Sequence, residues 1–422
     1  MTHAVSEIGA VPLSSSIIAC RSCGSTNLHL VADLGSTPLA NAFLTVDQLN
    51  QTELTFPLRL VFCTNCTLVQ ITETVRPDVL FANYLYASSY SDTMLRHARA
   101  ICDRLCRERC LTKNSLVIEI ASNDGYLLQF FVERRIPVLG IEPATNIAAI
   151  AQRRGVPTRL AFFESSLANQ LAGEDLCADV VVGNNVLAHV SEINDFITGV
   201  KRILKPGAIA RFEFPYLGDL IRNLEFDTIY HEHIFYFSAH SIETLLNRHG
   251  LVFTDVEHIP IHGGSLAVTA ALELDTLGRG RVERLLVEER ERGMDRLPFY
   301  SDFGTRVIAN VRELKNLTAR LRSGGKRICA YGASAKGSTL LNTACFEAGT
   351  LEYIVDRNEL KQGLFTPGTQ LPIFAPQRLT QDRPDYVLVL TWNFLDEILQ
   401  QQQAYRDLGG KFIVPIPSPM IV

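Results

Sequence analysis

No run of eighteen apolar residues occurs in the 422-residue chain, so a membrane-spanning helix is not expected. Basic runs are also missing and the formal net charge is −5, which argues against nucleic acid as a partner. The first residues lack the basic start and apolar core of a secretory signal. The expected compartment is therefore the cytoplasm, where cysteines serve as thiols or metal ligands rather than disulfides. G-x-G-x-x-G, the Walker A pattern and H-E-x-x-H are all absent, which removes the usual marks of a dinucleotide site, triphosphate hydrolysis and a protease zinc. Tryptophan occurs once.

What is present is the composition of an ordinary enzyme, 47% hydrophobic and 20% charged. A length of 422 residues exceeds a single core of roughly 250–300 residues, so two or three domains are expected. Four of the ten cysteines form two C-x-x-C pairs, Cys20/Cys23 and Cys63/Cys66. Four thiolates in that arrangement fill every position of a tetrahedral zinc, making it structural rather than catalytic. Cys102, Cys106 and Cys110 recur every four residues and read as a helix face of small buried side chains; Cys177, Cys329 and Cys345 read as core.

From residue 115 onward strands and helices alternate, the pattern of a parallel sheet with crossover helices. The segment Glu119-Ile-Ala-Ser-Asn-Asp-Gly125 ends a strand in an acid and a small-residue turn, and the next strand ends at Glu142. An acid at that point chelates ribose hydroxyls, and without G-x-G-x-x-G the cofactor expected is S-adenosylmethionine. A charged span, Gly278–Arg296, is expected to be a solvated bridging face. Beyond it, Phe303, Val307, Val311, Leu314, Leu317 and Leu321 stripe a long helix. A second α/β pattern then starts at Arg327. Its loop Gly332-Ala-Ser-Ala-Lys-Gly-Ser-Thr339 either cradles a phosphate at a helix N-terminus or is a plain glycine turn. The expected class is α/β: a zinc-binding ribbon-like domain at 1–78, a central Rossmann-like domain at 79–292 and a Rossmann-like C-terminal domain at 293–422.

Tyr230-His-Glu-His233 lies in an aromatic stretch. Histidines and a glutamate buried among aromatics need partners, and their spacing does not suit a metal.

Five segments together resemble the sugar C-methyltransferase family: Glu119–Leu128, Asn184–Val190, Glu225–His233, His262-Gly-Gly-Ser-Leu266 and Lys361-Gln-Gly with Pro367-Gly368. That resemblance implies a class I methyltransferase domain and methyl transfer from S-adenosylmethionine to carbon. The substrate implied is a nucleotide-diphosphate 4-keto deoxysugar, dTDP-linked and methylated at C-3. Zinc on Cys20, Cys23, Cys63 and Cys66 follows as well. Catalysis is expected from His233 as base, Tyr230 as donor, Glu232 orienting the base or a hydroxyl, and His189 from the strand-four loop. Cofactor contacts are expected from Tyr84, Glu119, Ala121, Asn123, Gly125, Glu142, Pro143, Asn184 and Asn185. Substrate contacts are expected from Tyr86, Ser89, His231, Ser334 and Lys336. Two residues depart from the family pattern: Ala121 stands in place of a glycine and Ala267 in place of an arginine. A monomer fits these features. The alternatives are an NAD(P)-dependent nucleotide-sugar oxidoreductase or epimerase, with Asp356 on a ribose, and a scaffold without catalysis.

Overall fold

A computed structural model describes residues 13–80, 89, 91–261, 263–273 and 276–422. Tyr84, Tyr86 and His262 lie outside the described residues. The fold is built on three principal sheets.

The N-terminal sheet has four antiparallel strands, Phe235–Tyr236, Val69–Ile71, Thr55–Cys63 and Leu28–Pro38 in that order. Its two cysteine turns are built alike. Gly24 N–H returns to the Cys20 carbonyl at 2.8 Å and Thr67 N–H to the Cys63 carbonyl at 2.9 Å. In both, the residue after the second cysteine has positive φ, +73° at Gly24 and +59° at Thr67. Glycine adopts that conformation freely; threonine holds it at a cost. The four Sγ atoms lie within 4.8 Å of one another, with Cys20–Cys66 and Cys23–Cys63 both at 3.6 Å. A Zn–S bond of about 2.3 Å gives a tetrahedron edge of about 3.8 Å, so the cluster fits zinc. Gln70 Nε2 donates to Cys20 Sγ at 3.0 Å, the kind of outer bond that orients a ligand.

The central sheet runs Val252–Ile259, Ser265–Ala271, Leu204–Pro215, Ala178–Asn184, Val117–Ile120, Val138–Glu142, Thr158–Leu160. Ser265–Ala271 alone runs opposite to the other six strands. Its switch point falls between Val117–Ile120 and Ala178–Asn184, the place where an open α/β sheet receives a ligand. Helix Asp92–Glu108 covers one face with Met94, Ala98, Ile101, Cys102 and Leu105. Cys102 is core as expected, but Cys110 lies past the helix end and is exposed.

The charged span departs from expectation. It forms helix Thr276–Glu291, with Val282 and Leu286 in the core and Glu289 fully buried. The Glu289 carboxylate accepts from the N–H groups of Ala239 (2.7 Å) and His240 (3.1 Å), satisfying the open start of helix Ala239–Arg248.

The third sheet runs Ile373–Phe374, Ile354–Val355, Ile328–Tyr331, Tyr386–Val389, Lys411–Val414, Met420–Ile421, parallel except for the last strand. Helix Phe303–Ser323 lies between this sheet and the N-terminal one: Asn310 Nδ2 bonds the carbonyls of Pro415 and Pro417. On its other side, Gly304 backs onto the Val31 carbonyl. Cys345, expected in the core, is exposed and ends helix Ala335–Ala344 in the left-handed conformation.

Cys66→Ser should lower zinc from one equivalent per chain to well below one and reduce the melting temperature by several degrees. Metal analysis and calorimetry check both; full zinc content with unchanged melting would contradict the four-thiolate assignment.

Candidate active site

A cavity of about 730 Å³ opens between the carboxyl ends of the central and C-terminal sheets, with Asn41 of the N-terminal domain on its wall. Size and position suit a cofactor and a substrate held side by side.

On the central side, Ala121, Asn123, Glu142, Pro143, Asn184 and Asn185 line the wall. The Glu142 carboxylate clamps the turn after the first strand, accepting from Asn123 N–H at 3.0 Å and Ala144 N–H at 2.8 Å. Burial pushes its pKa up despite those bonds. Ala121, Asn123 and Asn185 all have positive φ, +57°, +49° and +53°. Asn184 Oδ1 has no partner among the described residues, while its Nδ2 donates to Tyr126 at 3.2 Å. An orphaned acceptor beside a carboxylate at the switch point fits the amino group and ribose of S-adenosylmethionine.

Three expected contacts stand behind this wall rather than on it. Glu119 is buried, and its carboxylate oxygens have no partner among the described residues. Burial, with Asp124 and Glu142 nearby, raises its pKa well above the usual carboxylate range. Gly125 makes the turn at φ +77°, a conformation side chains rarely adopt, with Val156 and Ala151 crowding the place a Cβ would take. Ser89 bonds the Asp124 carboxylate and accepts from Arg154 at 3.0 Å, so it braces the turn.

The chemistry-bearing segment sits opposite. Tyr230 Oη lies 2.7 Å from His233 Nε2, and His233 Nδ1 lies 3.1 Å from the Thr228 carbonyl. A carbonyl can only accept, so Nδ1 carries the proton and Nε2 is the basic nitrogen. His189 meets the His233 ring edge-on at 4.8 Å between centroids. Desolvation in the cavity wall lowers the His189 pKa to about 4, so that imidazole is neutral at physiological pH. Glu232 does not touch His233: its Oε1 accepts from Asn41 Nδ2 at 3.0 Å, and its Oε2 has no partner among the described residues. The Thr228 carbonyl is what orients the His233 ring. His231 turns away from the cavity, its Nε2 3.2 Å from the Pro57 carbonyl, and ties the segment to the N-terminal sheet.

This segment is fixed downstream by Ile234. Its N–H bonds the Ala188 carbonyl at 2.6 Å and its carbonyl accepts from Ile71 N–H at 2.9 Å. Phe235 and Tyr236 then pair with Gln70 and Val69.

The C-terminal wall carries Ser334, Lys336, Asp356, Asn358, Lys361 and Thr391. Ser334 caps helix Ala335–Ala344 by accepting from Gly337 N–H at 3.1 Å. Lys336 Nζ sits 4.9 Å from the centre of the Trp392 ring, a cation–π distance. Lys361, buried and with its pKa lowered by that burial, donates to the Ala333 carbonyl at 2.7 Å. Asp356 repeats the device of Glu142, accepting from Ala333 N–H and Asn358 N–H, each at 2.7 Å. Asn41 and the aromatic pair Phe162–Phe163 on the cavity wall escaped sequence reasoning, and Lys361 stood in a resemblance segment without being assigned a site role. The aromatic pair had a signal in its position just after the third central strand.

Comparison with known proteins places the chain. A C-methyltransferase C-terminal domain matches residues 260–417, a methyltransferase domain 94–256, and a domain described as "Putative zinc binding domain" 20–81. The C-methyltransferase NovU of Streptomyces niveus is 37% identical over 408 residues, 96% of each chain. The chain belongs to the C-methyltransferase family, as an S-adenosylmethionine-dependent enzyme with a zinc-binding domain. Solved structures of an S-adenosylmethionine-dependent methyltransferase from Clostridium acetobutylicum and of magnesium protoporphyrin IX methyltransferase from Synechocystis overlap 42% of this chain each. They cover 92% and 81% of their own lengths, at 13% and 15% identity and TM-scores of 0.34 and 0.33, too low to carry an argument. Membership in this family displaces the hydride-transfer alternative. No helix of the described residues is long and apolar enough to cross a membrane.

Burial raises two carboxyls next to the Tyr230–His233 segment, Asp227 to about 6 and Glu225 to about 7, with Lys336 opposing the shift in each. Each binds its proton more tightly folded than unfolded, so stability is lost as pH rises from about 4 through about 7. Asp227→Asn should therefore gain stability over the parent between pH 5 and pH 8, by about 1.4 kcal/mol. Denaturant titrations at the two pH values measure this. A variant equally or more destabilised at pH 8 would contradict the assignment.

Proposed function

We propose that this enzyme methylates C-3 of a nucleotide-diphosphate 4-keto deoxysugar, with His233 as the base. The observation that supports this most is the juxtaposition of Tyr230, His233 and His189 in one cavity wall, facing a wall with Lys336 and Lys361. The family membership and the relative's printed activity, C-methyl transfer, support the reaction type.

A carbon next to a ketone becomes nucleophilic only when its proton is removed and the enolate oxygen is held. His233 Nε2 takes that proton. Its Nδ1–H stays on the Thr228 carbonyl and stabilises the imidazolium that forms. The Tyr230 phenol, adjacent to Nε2, donates to the enolate oxygen, and neutral His189 offers a second polar contact without adding charge. Glu232, with burial raising its pKa, holds a sugar hydroxyl together with Asn41. S-adenosylmethionine supplies an electrophilic methyl when bound against Glu142 and Asn184. The ketone returns as the carbon–carbon bond forms and the methyl's bond to sulfur breaks, the donor leaving as the neutral thioether S-adenosylhomocysteine, and His233 gives its proton to solvent. Lys336 and the N-terminus of helix Ala335–Ala344 hold the diphosphate. In this reading Ser89 and His231 act as supports rather than as substrate contacts.

With labelled donor and a panel of nucleotide keto-sugars, His233→Ala should lower turnover about 10²–10⁴-fold. Tyr230→Phe should lower it about 10²–10³-fold. Both should retain the parent affinity for S-adenosylhomocysteine. Undiminished turnover in the His233 variant would remove the base assignment. Addition of dTDP alone should change the emission of the single tryptophan through Lys336, and Lys336→Met should abolish that change. An identical response in the Lys336 variant would place the diphosphate elsewhere.

A further inference from the structure

The base is oriented by a backbone carbonyl, Thr228, and the residues on either side of that carbonyl are held by the C-terminal domain. Trp392 Nε1–H donates to Asp227 Oδ2 at 2.7 Å. Thr339 Oγ1 donates to the Ile229 carbonyl at 3.1 Å. Asp227 and Ile229 are both 0% exposed, so water does not replace either bond at low cost. Neither Trp392 nor Thr339 lines the cavity, yet each sits in an element that does. Thr339 lies one turn along the helix that Lys336 begins, and Trp392 lies between Thr391 and Asn393, which both face the cavity.

We infer that Trp392 and Thr339 are positioning residues for His233: they pin Asp227 and Ile229, fix the Thr228 carbonyl, and so set which imidazole nitrogen holds the proton. This inference rests on the reading of His233 as base. A misplacement of about 1 Å at a reacting group costs as much as 10²-fold in rate, so two unremarkable side chains on another domain acquire leverage over turnover. The arrangement also joins the two halves of the site. The elements that meet the diphosphate are the ones that hold the base, so binding there and readiness for proton removal share one rigid connection.

The test uses full-length, zinc-loaded enzyme carrying Thr339→Val, Trp392→Phe or both, with a dTDP-linked 4-keto deoxysugar as substrate. Thr339→Val is nearly isosteric and carries the test by itself if the double variant fails to fold, with zinc content and circular dichroism as controls. The expected result is a fall in kcat of about 10- to 100-fold in the double variant, with KM for sugar and donor within about threefold of the parent. Thr339→Ser, which keeps the hydroxyl, should restore most of the rate. A readout independent of the substrate is ¹⁵N-histidine NMR of the free protein, with His233→Gln identifying the resonance. The parent should show the Nδ1–H tautomer at His233 and the double variant a mixture. An unchanged tautomer, a rise in KM at retained kcat, or Thr339→Ser as slow as Thr339→Val would each overturn the inference. If the parent methylates no keto-sugar while the tautomer still responds, the substrate reading fails and the positioning stands.

Discussion

The two hydrogen bonds of the Ile234 peptide carry this architecture. One reaches Ala188, next to His189, and the other reaches Ile71 in the N-terminal sheet. A buried peptide group must have its bonds satisfied, and here the two partners come from different domains. The residue just before, His233, is thereby held against His189 with little freedom. In the role proposed for His233, a base on a free loop would have to be ordered at each turnover; one held between two sheets is ordered by folding.

Zinc belongs to the same constraint. The strand that follows Ile234 pairs Phe235 with Gln70, and Gln70 donates to the Cys20 thiol. A segment with long loops and few core residues keeps a fixed edge strand because four thiolates tie its ends. The metal is remote from the chemistry, and its effect passes through one short β-ladder. On the far side of the cavity the two larger sheets use one solution twice. Glu142 and Asp356 each end a second strand and each accept two backbone amides, so the turn after the first strand is rigid before any ligand arrives. Preorganised donors and acceptors of that kind need little rearrangement during reaction.

Much of this was legible in the residues. The thiol quartet has a spacing that few other structures require, and the Glu119–Gly125 segment announces a strand, a turn and a helix by its change of period. Tyr230 to His233 stood out because charged and polar groups among aromatics demand partners. What was not legible depends on packing between domains. Nothing in the sequence near Asn41 points to Glu232, 191 positions away, and the partner of Asp227 is a tryptophan 165 positions on. Glu289 looked like one more charge on a solvated span, because burial as a remote helix cap leaves no local pattern. Ala121 in a left-handed turn shows the reverse case, a position where a glycine would be conformationally easier and where this chain tolerates the strain.

Exchange at carbon gives the most direct measurement of the central claim, that His233 held by this framework removes a proton from carbon. In D₂O, with S-adenosylhomocysteine occupying the donor site, the parent enzyme should wash deuterium into the carbon beside the ketone of a dTDP-linked 4-keto deoxysugar. His233→Gln should reduce that wash-in to near the uncatalysed rate. Exchange at the same rate in both proteins, or none in a parent that methylates the sugar, would contradict the account.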